Sequence, residues 1–527
     1  MHMLVKGLVR NTAMLLIIMV LIFITACSGN NGGAAIGGQT TDSPTTKQAD
    51  GNEKETKADE KVKLKLAYGV GWSSPSMSPK DNPALKYVED KLGVELDLTV
   101  LAGELYGEKL KVMIAGGDIP DAFSWGLDDF AVNLIESGAV VPLDDYIDQY
   151  PNLKAQKDLY PTNYKNKKWA ISTVRNPIAA SDIPLIRMDW LDNLKLKQPH
   201  TLEELYEVAR AFTHDDPDDN GKQDTYGIQL TNSMFGWSLL GANGIEHIFG
   251  LHNDWVKVDG KYVPKIATDN YKQYLTWMSK AFNEGLIDRD FAVTDNPLAE
   301  SKVVRKGQAG IFFHYTPRIY DFEANFQKEH PEARLSGFEA VKGPNGDQGV
   351  TARVNMGGMF ISKQAADNPL KLKKILEWLD YGASQEGGIF WNYGVEDIHF
   401  TKDAAGKIVP DTKAFEKDMP RTFTFTLPVQ STDEVYVFPQ YTTESQEAVI
   451  SAHKLNEPHI KYNTTSYAFS ETRTKYASEI SDFLLTNMTQ TIMGVKSVDQ
   501  WDNVVDEFYQ RFEGDKMAEE ITQTMGD

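Results

Sequence analysis

The sharpest chemistry in the sequence lies in Asp216-Pro217-Asp218-Asp219-Asn220-Gly221-Lys222-Gln223-Asp224. Calcium takes about six to eight oxygen ligands at roughly 2.3–2.6 Å, and this stretch follows the first nine positions of an EF-hand-type calcium loop. Asp216, Asp218 and Asn220 alternate so that three side-chain oxygens reach one centre. Gly221 permits the sharp turn, Lys222 offers its backbone carbonyl, and Asp224 adds a carboxylate directly or through water. The twelfth position is Gly227, where the full loop carries a bidentate glutamate, so the last ligand must be water or a residue elsewhere in the fold. The competing reading is an acidic surface turn, since Asp, Asn and Gly are common turn residues. The expected role for Ca2+ is structural, an ion that stiffens a loop.

The second reactive group is the sole cysteine, Cys27. Lys6 and Arg10 precede an apolar run over residues 13–24, which ends in Ile24-Thr25-Ala26-Cys27. Such a run suits a signal-peptide core and falls short of the roughly 20 residues of a membrane span. A cysteine directly after small residues at the end of that core resembles a bacterial lipobox, in which the thiol is diacylated and becomes the new N-terminus. Residues 28–61 are polar, with Ile36 the only large aliphatic side chain, and bury too little to order themselves. As a flexible tether they would reach about 30–35 Å. The expectation is a lipid-anchored protein on the extracellular face of the cell membrane.

Other reactive patterns are missing. There is no phosphate-binding Gly-x-x-x-x-Gly-Lys-Ser/Thr loop and no His-Glu-x-x-His, and Gly69-x-Gly71 stops short of a dinucleotide fingerprint. His247 and His252 have the wrong separation for one helical face. Among 75 acidic residues, paired carboxylates arise by chance, so none is nominated as a glycosidase dyad. No catalytic residue is assigned, and the chain is not expected to be an enzyme.

The scaffold that must position these groups is large. With 527 residues, 41% apolar and 24% charged, the chain suits two or three globular lobes. A net charge of −21 argues against a nucleic-acid partner, which needs clustered positive charge. One cysteine excludes an internal disulfide and any Cys-rich metal site. Alternation over 62–68 and 94–100 predicts strands, helical patterns cover 82–92 and 104–115, and a short strand is expected over 121–125. Further strands are expected over 310–315 and 357–362, and a helix over 368–381. Thr201 with Glu204 reads as a capping box, and Ser497 as the cap of the helix carrying Trp501. The fold class is α/β throughout.

Together these motifs resemble the family 1 extracellular solute-binding lipoproteins of carbohydrate ABC importers in Gram-positive bacteria. The resemblance covers nearly the whole mature chain. It is carried by the lipobox, by Gly117-Asp118-Ile119-Pro120-Asp121 and by Ile186-Arg187-Met188-Asp189-Trp190-Leu191. Its longest stretch leads from Pro199-x-Thr201-Leu202-x-Glu204 into Asp216-Pro217-x-x-Asn220-Gly221-Lys222-x-Asp224-x-Tyr226-Gly227. The resemblance implies a two-lobed periplasmic-binding-protein-like fold (type II), with several chain crossings and a ligand cleft between the lobes. Members with this loop include alginate-oligosaccharide binders, which implies a structural ion and a glycan ligand. The expected organisation is a signal peptide over 1–26, a lipidated Cys27 with linker over 27–61, and lobe I over 62–178 with a later segment of about 349–430. Lobe II would take 182–345 with a C-terminal helical segment of about 431–527. The implied partners are an oligosaccharide, the permease subunits of an ABC importer and the membrane holding the N-terminal lipid, with the protein a monomer.

Sugars present apolar C–H faces and rings of hydroxyls, so aromatic platforms with planar polar groups suit them. Ligand crevices in α/β lobes lie at the carboxyl ends of strands. By that rule Trp72, Trp125, Phe313, His314 and Tyr315 are ligand candidates, with Arg187, Trp237, Trp391 and the cleft-edge Asp121 behind them. For each aromatic the alternative is packing, and Trp190, Trp277, Trp378 and Trp501 lie in helical patterns that favour core. The rival functions are a surface-tethered glycan hydrolase or lyase, separable by product formation, and a peptide-binding importer protein.

Overall fold

The computed structural model describes residues 61–70, 82–156, 163–165, 167–171, 181–231, 243–315, 323, 325–328, 330–352, 357–419, 443–465 and 468–525. Cys27, Trp72 and Trp237 lie outside these residues. No described helix is long and apolar enough to cross a membrane.

The alternation at the start of the body becomes a strand, β1 (Val62–Val70), which buries Leu64 and Leu66 and leaves Lys63 exposed. Asn82 accepts hydrogen bonds from the amides of Ala84 and Leu85, and Pro83 opens the helix Pro83–Leu92. Gly93, at φ 66°, closes that helix and leads into β2 (Val94–Ala102), which pairs with β1 in parallel from Val62↔Val94 to Val70↔Ala102. The helix Gly103–Ala115 returns the chain to β3 (Ala122–Gly126), parallel to β1. One face of this sheet packs Leu64 and Leu66 against Ala84, Ile375 and Leu379. The other packs Ala67 and Phe123 against Leu110, Val132 and Ile135.

Between Ile171, which bridges to Met359 in the first sheet, and Ser181 the chain passes to a second sheet. Its strands are β4 (Ser181–Arg187), β5 (Tyr226–Ile228), β6 (Ala309–Tyr315), β7 (Leu335–Gly337) and β8 (Val350–Ala352). The chain then returns to the first sheet as β9 (Gly357–Ile361), antiparallel to β3, and re-enters the second through β10 (Ile460–Lys461). The orders are β9-β3-β1-β2 and β10-β8-β4-β6-β5, with β7 also paired to β4. Val350–Ala352 still pairs in the second sheet and Gly357–Ile361 in the first, so the return crossing lies between residues 352 and 357. A third passage runs from Met419, in the first lobe's core, to the helix Thr443–Asn456, whose Val449 and Ala452 join the second's. Among the described residues the chain thus passes three times between two α/β lobes.

Strand β6 is covered on both sides: Ile311 and Phe313 face one core, Ala309 and Phe312 the other. Helix Leu202–His214 lies against it, started by the capping box of Thr201 and Glu204. Their approach needs Gly310, where a Cβ would lie 2.1 Å from the Phe212 ring and 2.8 Å from that of Trp190. The C-terminal helices Glu471–Ile492, Trp501–Arg511 and Gly514–Met525 complete this lobe. Trp501 is buried on Tyr271, with ring centroids 5.5 Å apart, and donates its indole N–H to the Ile266 carbonyl at 2.9 Å.

Candidate functional site

At the carboxyl end of β3 the sheet leaves an aromatic step. Trp125 is half-buried, with its indole braced edge-on by Phe130 at 5.0 Å and by the tilted ring of Tyr106 at 6.1 Å. Its Nε1–H donates to Asp128 Oδ1 at 2.8 Å, and the same oxygen accepts the Ala131 amide that starts helix Asp129–Glu136. The exposed Lys111 places its Nζ 5.9 Å from the Trp125 ring centre. Gly107 supports the edge of the indole, 3.4 Å from the position of its absent Cβ. The result is a flat apolar face bordered by a carboxylate and an ammonium. Asp128, Phe130, Lys111 and Tyr106 were not legible as site residues; the Asp pair directly after the strand, an N-cap signal, was the available clue.

The other candidates separate from this step. Asp121 is buried and paired with Lys371, at 2.7 and 2.8 Å, while its Oδ2 accepts the Lys65 amide at 2.8 Å. It ties β1, the start of β3 and helix Pro369–Ala383 together. Arg187 is likewise committed: its Nε donates to Asp189 Oδ1 at 2.8 Å, its Nη2 to Oδ2, and it sits 4.6 Å from the Trp190 ring centre. Both groups are buried, and the pair is a structural contact of the second lobe. Phe313 is a core residue, because β6 is covered on both faces. His314 is buried with Nε2 3.6 Å from Glu300 Oε1. Trp391 is core, packed edge-on against Phe390 at 4.8 Å. Tyr315 ends β6, its backbone opposite Asp182.

The acidic loop follows helix Leu202–His214 and leads into β5. Asp216 and Asp219 have positive φ, as does Gly221 at 75°. The Asp216 carboxylate accepts the Asn220 and Gly221 amides, at 3.2 and 2.9 Å. The Asn220 amide group donates to Asp218 at 2.8 Å and to Asp224 at 3.2 Å, and its oxygen accepts the Lys222 amide at 2.8 Å. Among the described residues no three His, Cys, Asp or Glu side chains are gathered as a ready metal centre. The three aspartates here meet through Asn220. Yet the donor set is all oxygen, and Asp218 Oδ1 is buried without a hydrogen-bond partner. Burial first, then the hydrogen bond with Asp216 and the charges of Asp224 and Asp216, hold the Asp218 carboxyl above its ordinary range. An orphaned oxygen in a crowded set of like charges fits a hard cation. Gly227 explains the missing twelfth-position glutamate: a Cβ there would lie 2.6 Å from the Cβ and carbonyl oxygen of Ala209.

The model of the family described as bacterial extracellular solute-binding protein matches residues 71–389. The polygalacturonan/rhamnogalacturonan-binding protein YtcQ of Bacillus subtilis is 31% identical over 68% of this chain and 70% of its own length. Lipoprotein LipO of the same organism is 28% identical over 85% of this chain and 90% of its own. Among solved structures, that of an EF-hand mutant of the S. pneumoniae ABC-transporter substrate-binding protein FusA, in complex with fructo-nystose, superposes with a TM-score of 0.61. It is 21% identical and covers 88% of this chain and 99% of its own.

Proposed function

Because the chain belongs to the bacterial extracellular solute-binding proteins, we propose that it is the lipid-anchored substrate-binding protein of an ABC importer and captures an oligosaccharide between its lobes. The observation that carries this reading is the braced, half-exposed Trp125 at the strand ends of a two-lobed α/β fold. A sugar ring stacks its C–H face on the indole, and the Lys111 ammonium beside that ring supplies a polar contact. Ligand binding then selects the closed arrangement of the lobes, which the permease recognises. No bond in the sugar is made or broken; transport energy belongs to separate ATPase subunits. Relatives that bind polygalacturonan, rhamnogalacturonan and fructo-nystose support an oligosaccharide over a peptide.

In the same reading Cys27 carries the lipid, residues 28–61 form the leash, and the protein works as a monomer. Asp216, Asp218, Asn220, Asp224 and the Lys222 carbonyl hold a structural Ca2+, which supplies the positive charge that the clustered carboxylates lack.

A thermal melt of the chain in calcium, across oligogalacturonides, fructo-oligosaccharides and neutral glucans, tests the function. A ligand at 100 times its Kd stabilises by about 2.7 kcal/mol. One strong hit without product formation is expected; turnover would point instead to a hydrolase or lyase, and a flat response would remove the sugar reading.

A further inference from the structure

The two lobes meet at a point separate from the three passages of chain. The N-terminus of helix Glu471–Ile492 belongs to the second lobe, since Ala468, Phe483, Met488 and Ile492 lie in that lobe's core. Its first turn is held rigidly. Glu520, on the last helix, accepts from Ser470 Oγ at 2.6 Å, from the Thr472 amide at 3.0 Å and from Thr472 Oγ1 at 2.9 Å. From this clamped turn three side chains reach the first lobe. Phe469 packs against the cluster that contains Tyr106 and Phe123. Thr474 Oγ1 donates to Asp129 Oδ2, and Arg473 Nη2 stands 3.6 Å from Asp129 Oδ1.

Asp129 is the first residue of helix Asp129–Glu136, and its neighbour Asp128 caps that helix and holds the Trp125 indole. Adjacent carboxylates thus face opposite ways: Asp128 inward onto the aromatic step, Asp129 across to the other lobe. We propose that Asp129, Arg473 and Thr474 form an interlobe latch that sets the separation of the lobes and ties it to the position of the Trp125 step. Covalent passages let the lobes swing; this contact forms only at one separation, so it selects that arrangement from the range the hinge permits. Arg473 and Asp129 are each about a quarter exposed, so the attraction is partly screened and yields to salt. The link to Trp125 rests on the ligand-platform reading above, whereas the latch itself does not.

The single cysteine makes the test clean. In the full chain with Cys27→Ser, spin labels at Val112→Cys on the first lobe and Val495→Cys on the second, both exposed sites, report the interlobe distance without any sugar. The parent should give a narrow distribution that widens as sodium chloride rises. Asp129→Ala should shift and widen it, and so should Arg473→Met, which leaves the first lobe untouched and guards against misfolding of helix Asp129–Glu136. The exchange Asp129→Arg with Arg473→Asp should return it toward the parent. An unchanged distribution in both single variants, or an exchange as wide as either, overturns the latch. Because no ligand is present, these outcomes are independent of the sugar-binding melt.

Discussion

A side chain's neighbours in space decide whether its chemistry is spent or available, and six candidates turn on that point. Arg187 has its partner two residues away, so the ion pair with Asp189 was open to reading in the sequence. Asp121 finds Lys371 only after 250 residues, a pairing no local pattern reveals. Phe313, His314 and Trp391 have the composition of a sugar platform, yet strand and helix patterns do not separate a covered face from an open one. Trp125 keeps part of its face open because Asp128 and Phe130 hold it from the edges. Its replacement by alanine should weaken binding of the oligosaccharide found in the melt more than tenfold, about 1.4 kcal/mol or more, by calorimetry. The unfolding midpoint should barely move, since the residue caps the sheet end rather than filling its core. Unchanged affinity would place the platform elsewhere.

Elements were more legible than sites, because their signals are local. Alternating residues over 62–68, the helical pattern over 82–92, the Thr201–Glu204 box and the strand read over 310–315 all correspond to observed elements. The acidic loop was legible as a spacing, but the reason for Gly227 was not: Ala209 lies one helix earlier, and only packing shows that no side chain fits between them. The loop joins a helix to a strand of the second lobe's sheet, with the Gly227 amide donating to Thr213 at 3.0 Å and Thr225 Oγ1 to the Phe212 carbonyl at 2.9 Å. Its carboxylates therefore repel within a segment that cannot move apart freely. EDTA should lower the unfolding midpoint, calcium should restore it, and Asp218→Asn should reduce the difference between the two conditions. A midpoint indifferent to both reagents would leave the loop an acidic turn.

For the whole molecule, the charge of −21 and the absence of reactive motifs pointed away from nucleic acids and catalysis, and the two-lobed α/β architecture was legible through the family resemblance. The passages between lobes leave no periodic mark, which is why the crossing at 352–357 needed the strand pairing to place it. The anchor belongs at this scale too. In a Gram-positive host the wild-type protein should sediment with membranes, and Cys27→Ala should appear in the culture fluid or as uncleaved precursor by immunoblot. A variant still processed and retained would sink the lipid anchor.

The discontinuity of the first lobe also bears on how the chain acquires its structure. Strand β9 lines up Gly357 with Gly126 and Ile361 with Ala122, so one edge of the first sheet waits for more than 200 further residues. Long-range pairings of this kind form slowly, because loop-closure entropy must be met before the contacts reward it. While synthesis proceeds, the early strands have nothing to close against, and an exporter that threads unfolded polypeptide would meet a chain still unable to lock. The topology that threads the chain between two lobes therefore also delays closure of the first sheet until residue 361 has arrived.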